Sequence, residues 1–471
     1  MKSRRKFLVQ MGLLASAGTV SFLGFQKRAL ALAVEPLNKM PIAKGYGNLI
    51  PVATENTGEV FLALPKGFKY NVFGKQGSLM SDGNKTPPLH DGMACFSVGN
   101  ELRLIRNHEV SNGRVPKQGS AIGANAYDDA APGGTTTLVV NPRTRELIKD
   151  FVSLSGTLIN CAGGRTPWGS WISCEETSLG QSVRTDEAGK VTGGYAKPHG
   201  YCYEVFAKAN GVLPAEPLKA MGRFKHEAAA VDKTTGIVYL TEDADTAGFY
   251  RFIPKQKKHL AMGGVLQMLK VIDQDRLDTS KGLSVGQKFA VTWVTIDNPD
   301  PIEADHDDSA VYKQGFAKGA ATFSRLEGAY SYSHGHIYFV STNGGNNGGG
   351  QVWRYEHKNK TEGTLTLVFE SPSRDLLDMP DNICIKPNSE LLFICEDSDY
   401  TGAGGTSDNH MRVLAPNGKI ADFAKNVTPG FESSEFAGST FSEDGKTLFV
   451  NLQAVGVTLA IWGDWQTFKA D

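Results

Sequence analysis

A short apolar run that ends in polar or acidic residues recurs six times along this chain. The six runs are Leu102–Glu109, Ser170–Glu176, Ile237–Asp243, Ile337–Asn343, Leu391–Asp397 and Thr447–Gln453. Several are followed by a second apolar run, as at Gly248–Phe252. A strand, a polar loop and a strand, repeated at irregular intervals, is typical of propeller blades with long insertions. The sequence therefore predicts an all-β fold, a six-bladed β-propeller with loop and helical insertions; a β-sandwich with helical insertions is the alternative.

The composition agrees with one large repetitive architecture. The 471 residues exceed what a single ordinary core supports, and the 53 glycines are spread along the chain, as expected where a chain turns often. Lys and Arg number 49 and Asp and Glu number 50, which leaves a formal net charge of −1. With a net charge so close to zero, the protein has no overall positive potential that would attract a nucleic acid or an anionic membrane, so we expect neither as a partner. A closed propeller leaves few free strand edges, which predicts a monomer.

The first residues are predicted to direct export. Ser3–Leu8 contains the adjacent arginines of a twin-arginine signal, an apolar stretch follows from Met11 to Phe25, and small residues at Ala29–Ala33 offer a cleavage site. The apolar stretch is shorter than the ~20 residues that a membrane-spanning helix needs, which favours cleavage over a stable membrane anchor.

These features predict a simple domain organisation. A signal peptide occupies residues 1–33, and a single propeller domain occupies residues 34–471 with an insertion at about 257–318. We expect the mature protein to be periplasmic or secreted after export by the twin-arginine machinery.

Six cysteines are present, at Cys95, Cys161, Cys174, Cys202, Cys384 and Cys395. In an exported protein they could form three disulfides. Most lie inside apolar runs such as Trp171–Cys174 and Phe393–Cys395, where a Cys acts as a small buried residue, so we favour free thiols.

A residue able to bind metal lies upstream of each of the six runs. These positions are His90-Asp91, Cys161, His226-Glu227, Glu327, Asp381-Asn382 and Glu435. Small residues follow most of them, as expected for the crowded innermost strand of a blade. Ligands from six blades would converge on the channel, and converging carboxylates repel unless cations lie between them. The sequence therefore predicts a metal centre, and the same repeat adds Glu109, at the end of the first run, to its candidate ligands.

The ligand types restrict the metal. Hard oxygen donors suit Ca²⁺, Mn²⁺ or Fe³⁺, and the single thiolate of Cys161 favours a transition ion beside them. His90, His108 and His226 flank candidate ligands, and either a role next to the metal or a role in the core fits them.

The segment Cys161–Glu176 closely resembles a signature of the PhoX family of bacterial alkaline phosphatases. Further segments that resemble this family are His90–Ala94, Asn107–Glu109, His226–Asp232, Arg325–Gly328 and Asp381-Asn382. The resemblance spans nearly the whole mature chain and includes the twin-arginine leader.

The resemblance implies a six-bladed propeller with two ferric ions and three calcium ions that hydrolyses phosphate monoesters at alkaline pH, often to scavenge phosphate. It implies that Cys161 is the thiolate ligand of iron and that Arg325 grips the phosphoryl oxygens. The metal-bridging or calcium ligands that it implies are Glu176, Glu227, Glu327 and Asp381.

Two other classes of protein remain open at this point. A single-calcium six-bladed hydrolase of the lactonase or phosphotriesterase type would use the same channel, but it would need neither Cys161 nor Arg325. A non-catalytic binding propeller would not need a ring of potential metal ligands.

Overall fold

The computed structural model describes residues 41–111, 124–185, 191–399 and 408–471. The signal peptide predicted over residues 1–33 lies outside this part of the chain. Within the described residues, no helix is long and apolar enough to cross a membrane. These residues form mainly β-strands, together with an α-helix, α1 (Ala310–Ala317), and short 3-10 turns.

The described residues contain 28 strands. In chain order they are β1 (Leu49–Ala53), β2 (Val60–Pro65), β3 (Lys69–Phe73), β4 (His90–Val98), β5 (Glu101–His108), β6 (Gly133–Val140), β7 (Leu147–Thr157), β8 (Asn160–Arg165), β9 (Ser170–Glu175), β10 (Ser182–Thr185), β11 (Val191–Tyr195), β12 (Cys202–Phe206), β13 (His226–Val231), β14 (Val238–Glu242), β15 (Phe249–Pro254), β16 (Gly264–Val271), β17 (Lys288–Thr295), β18 (Leu326–Tyr332), β19 (His336–Ser341), β20 (Gln351–His357), β21 (Gly363–Glu370), β22 (Pro380–Ile385), β23 (Leu392–Glu396), β24 (His410–Leu414), β25 (Ile420–Asn426), β26 (Phe436–Phe441), β27 (Leu448–Leu452) and β28 (Val457–Trp462).

The strands form six blades of antiparallel neighbours. Blade 1 is β4–β7, blade 2 is β8, β9 and β12, blade 3 is β13–β16, blade 4 is β18–β21, blade 5 is β22–β25 and blade 6 is β26–β28. The first strands of the blades, β4, β8, β13, β18, β22 and β26, lie side by side in this order, and β26 lies beside β4, so the ring is closed. The prediction of an all-β, six-bladed β-propeller is confirmed.

Strands from outside the repeat complete the blades. β3 pairs with β28, with Lys69 opposite Trp462, so strands from both ends of the domain share blade 6. β1 and β2 extend blade 5 beyond β25, and β17 joins β16 to β21 across blades 3 and 4. The segment predicted as an insertion, 257–318, contains β16, β17 and α1. Pairing strands from the two ends of the domain in one blade closes the ring of blades.

Apolar side chains fill the spaces between successive blades. Phe393 of blade 5 meets Phe441 of blade 6 edge to face, with ring centroids 5.1 Å apart. Such edge-to-face pairs stabilise a core beyond the area that they bury. This packing joins blade 5 to blade 6.

The innermost strands approach each other closely enough to exclude side chains. A Cβ atom on Gly328 would lie 2.5 Å from the carbonyl oxygen of Asp381 on the next blade, and a Cβ atom on Gly92 would lie 2.8 Å from that of Cys161. Small residues are therefore required at these positions. Beyond them, the inner strands line a cavity of about 430 Å³ around the axis.

Candidate metal centre

All six inner strands begin with the same irregularity of register. In β4, His90 pairs with His108, but when the pairing resumes Met93 lies opposite Arg106, a shift of one residue. The same shift occurs in the other five blades. In five blades the second residue of the inner strand lies within this bulge, and bulges re-aim side chains. In β26 the second residue, Ala437, still pairs with Asn451, and the shift follows it. These six residues, which we call the inner ring, are Asp91, Cys161, Glu227, Glu327, Asp381 and Ala437.

One backbone hydrogen bond per blade fastens a second set of residues beside the inner ring. The N–H group of the residue after the second strand donates to the carbonyl oxygen of the residue before the inner strand. The pairs, donor first, are Glu109–Leu89 (3.0 Å), Glu176–Ile159 (2.9 Å), Asp243–Lys225 (3.2 Å), Thr342–Arg325 (2.9 Å), Asp397–Met379 (3.1 Å) and Gln453–Glu435 (3.2 Å). We call the donors the outer ring and the acceptors the lead residues.

Four lead residues adopt a left-handed backbone conformation. The φ angle is 50° at Leu89, 48° at Ile159, 42° at Arg325 and 44° at Met379. Such angles are strained for bulky residues, cost about 1–3 kcal/mol each, and persist only where the surroundings impose them. The recurring backbone bond is one such constraint, and it directs the chain from the lead residue into the bulge.

The two rings bring the candidate ligands together. Ligand atoms of Cys161, Glu176 and Glu227 lie within 4.8 Å of one another, and so do those of Glu227, Glu327 and Asp381. Glu227 belongs to both groups and is fully buried. One carboxylate thus links two adjoining three-residue clusters.

The clustered acids are held in an environment that disfavours their charge. Burial, followed by the charges of Asp381 and Glu176, raises the pKa of Glu227 well above its usual range. Burial, followed by the charges of Asp91 and Glu227, likewise raises the pKa of the Cys161 thiol. In the described part of the chain, neither carboxylate oxygen of Glu227 accepts a hydrogen bond from an N–H or O–H group. Buried oxygens without donors fit a site that is completed by cations, whose charge would reverse these pKa shifts.

Asp91 and Glu109 form the blade 1 side of the rings. Gln453 donates through Nε2 to Oδ2 of Asp91 (2.8 Å) and to Oε2 of Glu109 (3.0 Å). Sγ of Cys161 lies 3.7 Å from the same Asp91 oxygen. Burial and the charge of Glu109 raise the pKa of Asp91 to about 7. Gln453 therefore joins Glu109 to Asp91, and Glu109 lies outside the two tight clusters.

Arg325 is the lead residue of blade 4, and its guanidinium group points into the ring. Nε and Nη2 donate to the two carboxylate oxygens of Asp243 (2.9 and 3.0 Å), and Nη2 also donates to Oε1 of Glu327 (3.0 Å). Although burial opposes the charge, the hydrogen bond to Asp243 and the charges of Glu327 and Asp243 raise the pKa of Arg325. About 29% of its side chain remains exposed, so a ligand can reach the guanidinium.

Comparison with known proteins identifies the family. The family described as Alkaline phosphatase PhoX matches residues 45–456, which is most of the chain. The chain belongs to the PhoX family and is an alkaline phosphatase. This assignment decides against the lactonase-type hydrolase and the non-catalytic propeller. No curated protein matches the chain.

The chain has the fold of a solved PhoX structure. Pseudomonas fluorescens PhoX, solved in complex with vanadate, a transition state analogue, is 20% identical, with a TM-score of 0.64 over 88% of this chain and 98% of that one. A Bacteroides thetaiotaomicron protein of unknown function is 11% identical, with a TM-score of 0.41 over 84% of this chain and 76% of that one.

Sequence reasoning missed two acids of this PhoX-family site. Asp243 and Asp397 belong to the outer ring, and their signal was present, because each is the last residue of a repeated run. Glu435 is a lead residue, equivalent to Arg325, and Ala437 occupies the sixth position of the inner ring. Blade 6 has no acid in the inner ring, but it supplies Glu435 beside Asp397, where burial and the charge of Asp397 raise the pKa of Glu435 well above its usual range.

The remaining cysteines and the three histidines support the blades. All six cysteines are free thiols, and Cys174 and Cys202 are buried side by side with sulfur atoms 3.6 Å apart. The ring nitrogens of His90, His108 and His226 contact backbone carbonyl oxygens at 2.9–3.0 Å. These contacts favour structural roles for the histidines.

Proposed function

We propose that this alkaline phosphatase hydrolyses phosphate monoesters at a multinuclear iron and calcium centre in the two rings. The observation that carries this proposal is the convergence of Cys161 and several buried carboxylates around Glu227, whose oxygens lack N–H or O–H donors within the described residues. The family resemblance supplies the proposed ion count of two Fe³⁺ and three Ca²⁺.

The donor set fits this mixture of metals. Cys161 offers a thiolate, which suits iron better than calcium, and the carboxylate oxygens suit both Ca²⁺ and Fe³⁺. The proposed ligands are Cys161, Glu176, Glu227, Glu327, Asp381 and, through its position beside Asp91, Glu109. Cations in the rings would neutralise phosphoryl oxygens and lower the pKa of water.

Arg325 is the proposed phosphoryl-binding residue. Its Nη1 group makes none of the contacts to Asp243 and Glu327, so its two N–H groups can donate to phosphoryl oxygens, and the guanidinium remains charged at alkaline pH. Asp243 and Glu327 hold it in place before substrate arrives, which reduces the cost of ordering the side chain. Asp243 therefore acts as a positioning residue for Arg325.

The proposed physiological role is phosphate scavenging outside the cytoplasm. The leader in residues 1–33 would send the folded protein through the twin-arginine machinery, after the metals have been inserted. The mature enzyme would then act in the periplasm or after secretion, as a monomer.

A chelation experiment tests the metal dependence. Activity towards p-nitrophenyl phosphate is measured at alkaline pH before and after exhaustive treatment with EGTA. We expect EGTA to abolish activity and Ca²⁺ to restore it better than Mg²⁺, whose small octahedral shell fits flexible carboxylate sites poorly. Full activity in protein shown to be free of calcium would contradict the proposal.

A further inference from the structure

Two neighbouring lead residues are cations. Lys225 precedes β13 of blade 3 and Arg325 precedes β18 of blade 4, and these inner strands are adjacent. Leu89, Ile159 and Met379 fill three of the other lead positions. The equivalence of the positions places Lys225 and Arg325 at the same level of the channel mouth, on the same side of it.

The two cationic side chains point in different directions. Arg325 turns into the ring, where it pairs with Asp243 and Glu327. Lys225 turns outwards, and its Nζ atom pairs with Oδ2 of Asp308 at 3.0 Å. The Lys225 and Asp308 side chains are 36% and 50% exposed, so this ion pair lies at the rim in contact with solvent.

The Lys225 ammonium can leave Asp308 without leaving the site. An exposed ion pair contributes only about 0–1 kcal/mol, so a ligand anion can replace the Asp308 carboxylate. The Lys225 backbone is fixed between two outer-ring residues, because it forms a β-bridge with Glu176 and accepts the Asp243 N–H group. The free ammonium therefore remains beside the rings.

The segment that carries Asp308 is anchored independently of Lys225. Arg223 is buried and pairs with Asp305. Asp300 pairs with Lys219 at 3.3 Å and accepts a hydrogen bond from the Tyr201 hydroxyl at 2.9 Å. Breaking the Lys225–Asp308 contact alone therefore leaves the segment that carries Asp308 in place.

We propose that Lys225 is a specificity-determining residue that binds an anionic group on the leaving-group side of the substrate. The enzyme then prefers phosphate monoesters whose leaving group carries a carboxylate or a second phosphate over esters of neutral alcohols. The inference rests on the proposed function, because it requires Arg325 and the rings to hold the transferred phosphoryl group. With the phosphoryl group held by Arg325 and the rings, the outward-pointing Lys225 would face the rest of the ester.

Two esters that differ in one charge test this proposal. 3-Phosphoglycerate carries a carboxylate where glycerol 3-phosphate carries a neutral hydroxymethyl group. We expect the wild type to have the higher kcat/KM for 3-phosphoglycerate. Lys225→Met should lower the ratio of the two kcat/KM values about fivefold, the size of one exposed ionic contact. Lys225→Arg should retain most of the ratio, and raising the ionic strength should reduce it in the wild type.

Two further variants complete the test. Asp308→Asn should raise the ratio of the two kcat/KM values, because the carboxylate that competes for Lys225 is gone. If Lys225→Met fails to fold, this variant decides whether Lys225 binds the anionic group. Lys219→Met removes another lysine that pairs with the same segment, and it should leave the ratio unchanged.

The outcomes separate this inference from the proposed function. The role of Lys225 would be overturned if Lys225→Met left the ratio of the two kcat/KM values unchanged. A wild-type preference for the neutral ester would also overturn it. A wild type with bound iron and calcium that hydrolyses neither ester nor p-nitrophenyl phosphate would overturn the proposed function instead.

Discussion

Glu175 and Glu176 are adjacent in the chain and lie in opposite environments. Glu175 points into blade 2, where its carboxylate accepts hydrogen bonds from the backbone N–H groups of Leu158 (2.8 Å), Gly200 (2.7 Å) and Tyr201 (3.0 Å). Glu176 points to the channel mouth, where burial and the charge of Asp243 raise its pKa well above the usual range. Alternation of side chains along a strand produces this difference. The blade carboxylate is satisfied by protein donors, whereas the oxygens of the ring carboxylate Glu227 have no N–H or O–H donor among the described residues.

The same division recurs in blades 3 and 5. Glu242 accepts hydrogen bonds from the Gly248 N–H group (2.7 Å) and the Tyr250 hydroxyl (2.8 Å), while its neighbour Asp243 holds Arg325. In blade 5, Glu396 accepts hydrogen bonds from the Asp378 N–H group (3.0 Å) and from Arg412 (2.8 Å), while Asp397 joins the outer ring. Each acidic pair therefore contributes one structural carboxylate and one ring carboxylate.

The largest effect is expected from a ring carboxylate. Glu227→Gln should lower kcat/KM for p-nitrophenyl phosphate about 10³-fold, the upper end of what the loss of one electrostatic contact costs. In EGTA, the same variant should unfold at a higher temperature than the wild type, because one repelling buried acid is gone. Thermal unfolding with and without EGTA measures this. A lower unfolding temperature in EGTA would place Glu227 with the structural carboxylates.

A smaller loss of activity is expected when Arg325, the cationic side chain held by the rings, is replaced. Arg325→Lys should lower kcat/KM about 10²-fold, because an ammonium cannot donate to two phosphoryl oxygens in one plane. The bound metal content should stay at the wild-type level, which elemental analysis checks. Near-normal activity would remove Arg325 from the site.

The matched substitution in the blade should affect stability more than chemistry. Glu175→Gln leaves Gly200 and Tyr201 with a weaker acceptor and should lower the free energy of unfolding by about 1–3 kcal/mol. Metal content per folded molecule should stay normal. Urea unfolding measures the change, and loss of metal from a fully folded Glu175→Gln protein would erase the distinction between the two carboxylates.

The smallest expected effect is a pH dependence of stability that arises from the pair formed by His199 and the blade carboxylate Glu175. Burial lowers the pKa of His199, but the charge of Glu175, the Asp128 carboxylate 3.7 Å from Nε2 and the hydrogen bond with Glu175 raise it to about 9. Because the folded-state pKa lies above the usual value of about 6.5, this stabilisation is complete below pH 6.5 and is lost as the pH rises through 9. Unfolding temperatures from neutral to alkaline pH should fall less in His199→Asn than in the wild type. Parallel curves would contradict this role of His199.

The repeat in the sequence is sufficient to predict the propeller, because each blade carries its own copy of the apolar run. It also identifies most ring residues, such as Cys161 and Glu227, since each copy has a ligand at a similar distance from its run. The sixth position of the inner ring could not be read in this way. Glu435 has the right chemistry at nearly the right distance, but the second residue of β26 is Ala437, which pairs with Asn451 before the register shifts.

The direction of each side chain depends on the register of the bulge, which no single run reveals. Asn160 pairs with Glu175, and the register of β8 and β9 shifts after this pair. Because side chains alternate along a strand, the position of this shift decides whether Glu175 or Glu176 faces the channel. Asp243 was overlooked for this reason, although it stands in the same position as Glu176. Superimposing the runs by their last residue would have found it.

Elemental analysis of the purified wild-type protein tests the proposed centre most directly. The account predicts iron and calcium together in the folded enzyme, since a thiolate and a set of buried carboxylates converge on Glu227. Calcium without iron, or neither metal in protein that is fully active, would contradict it.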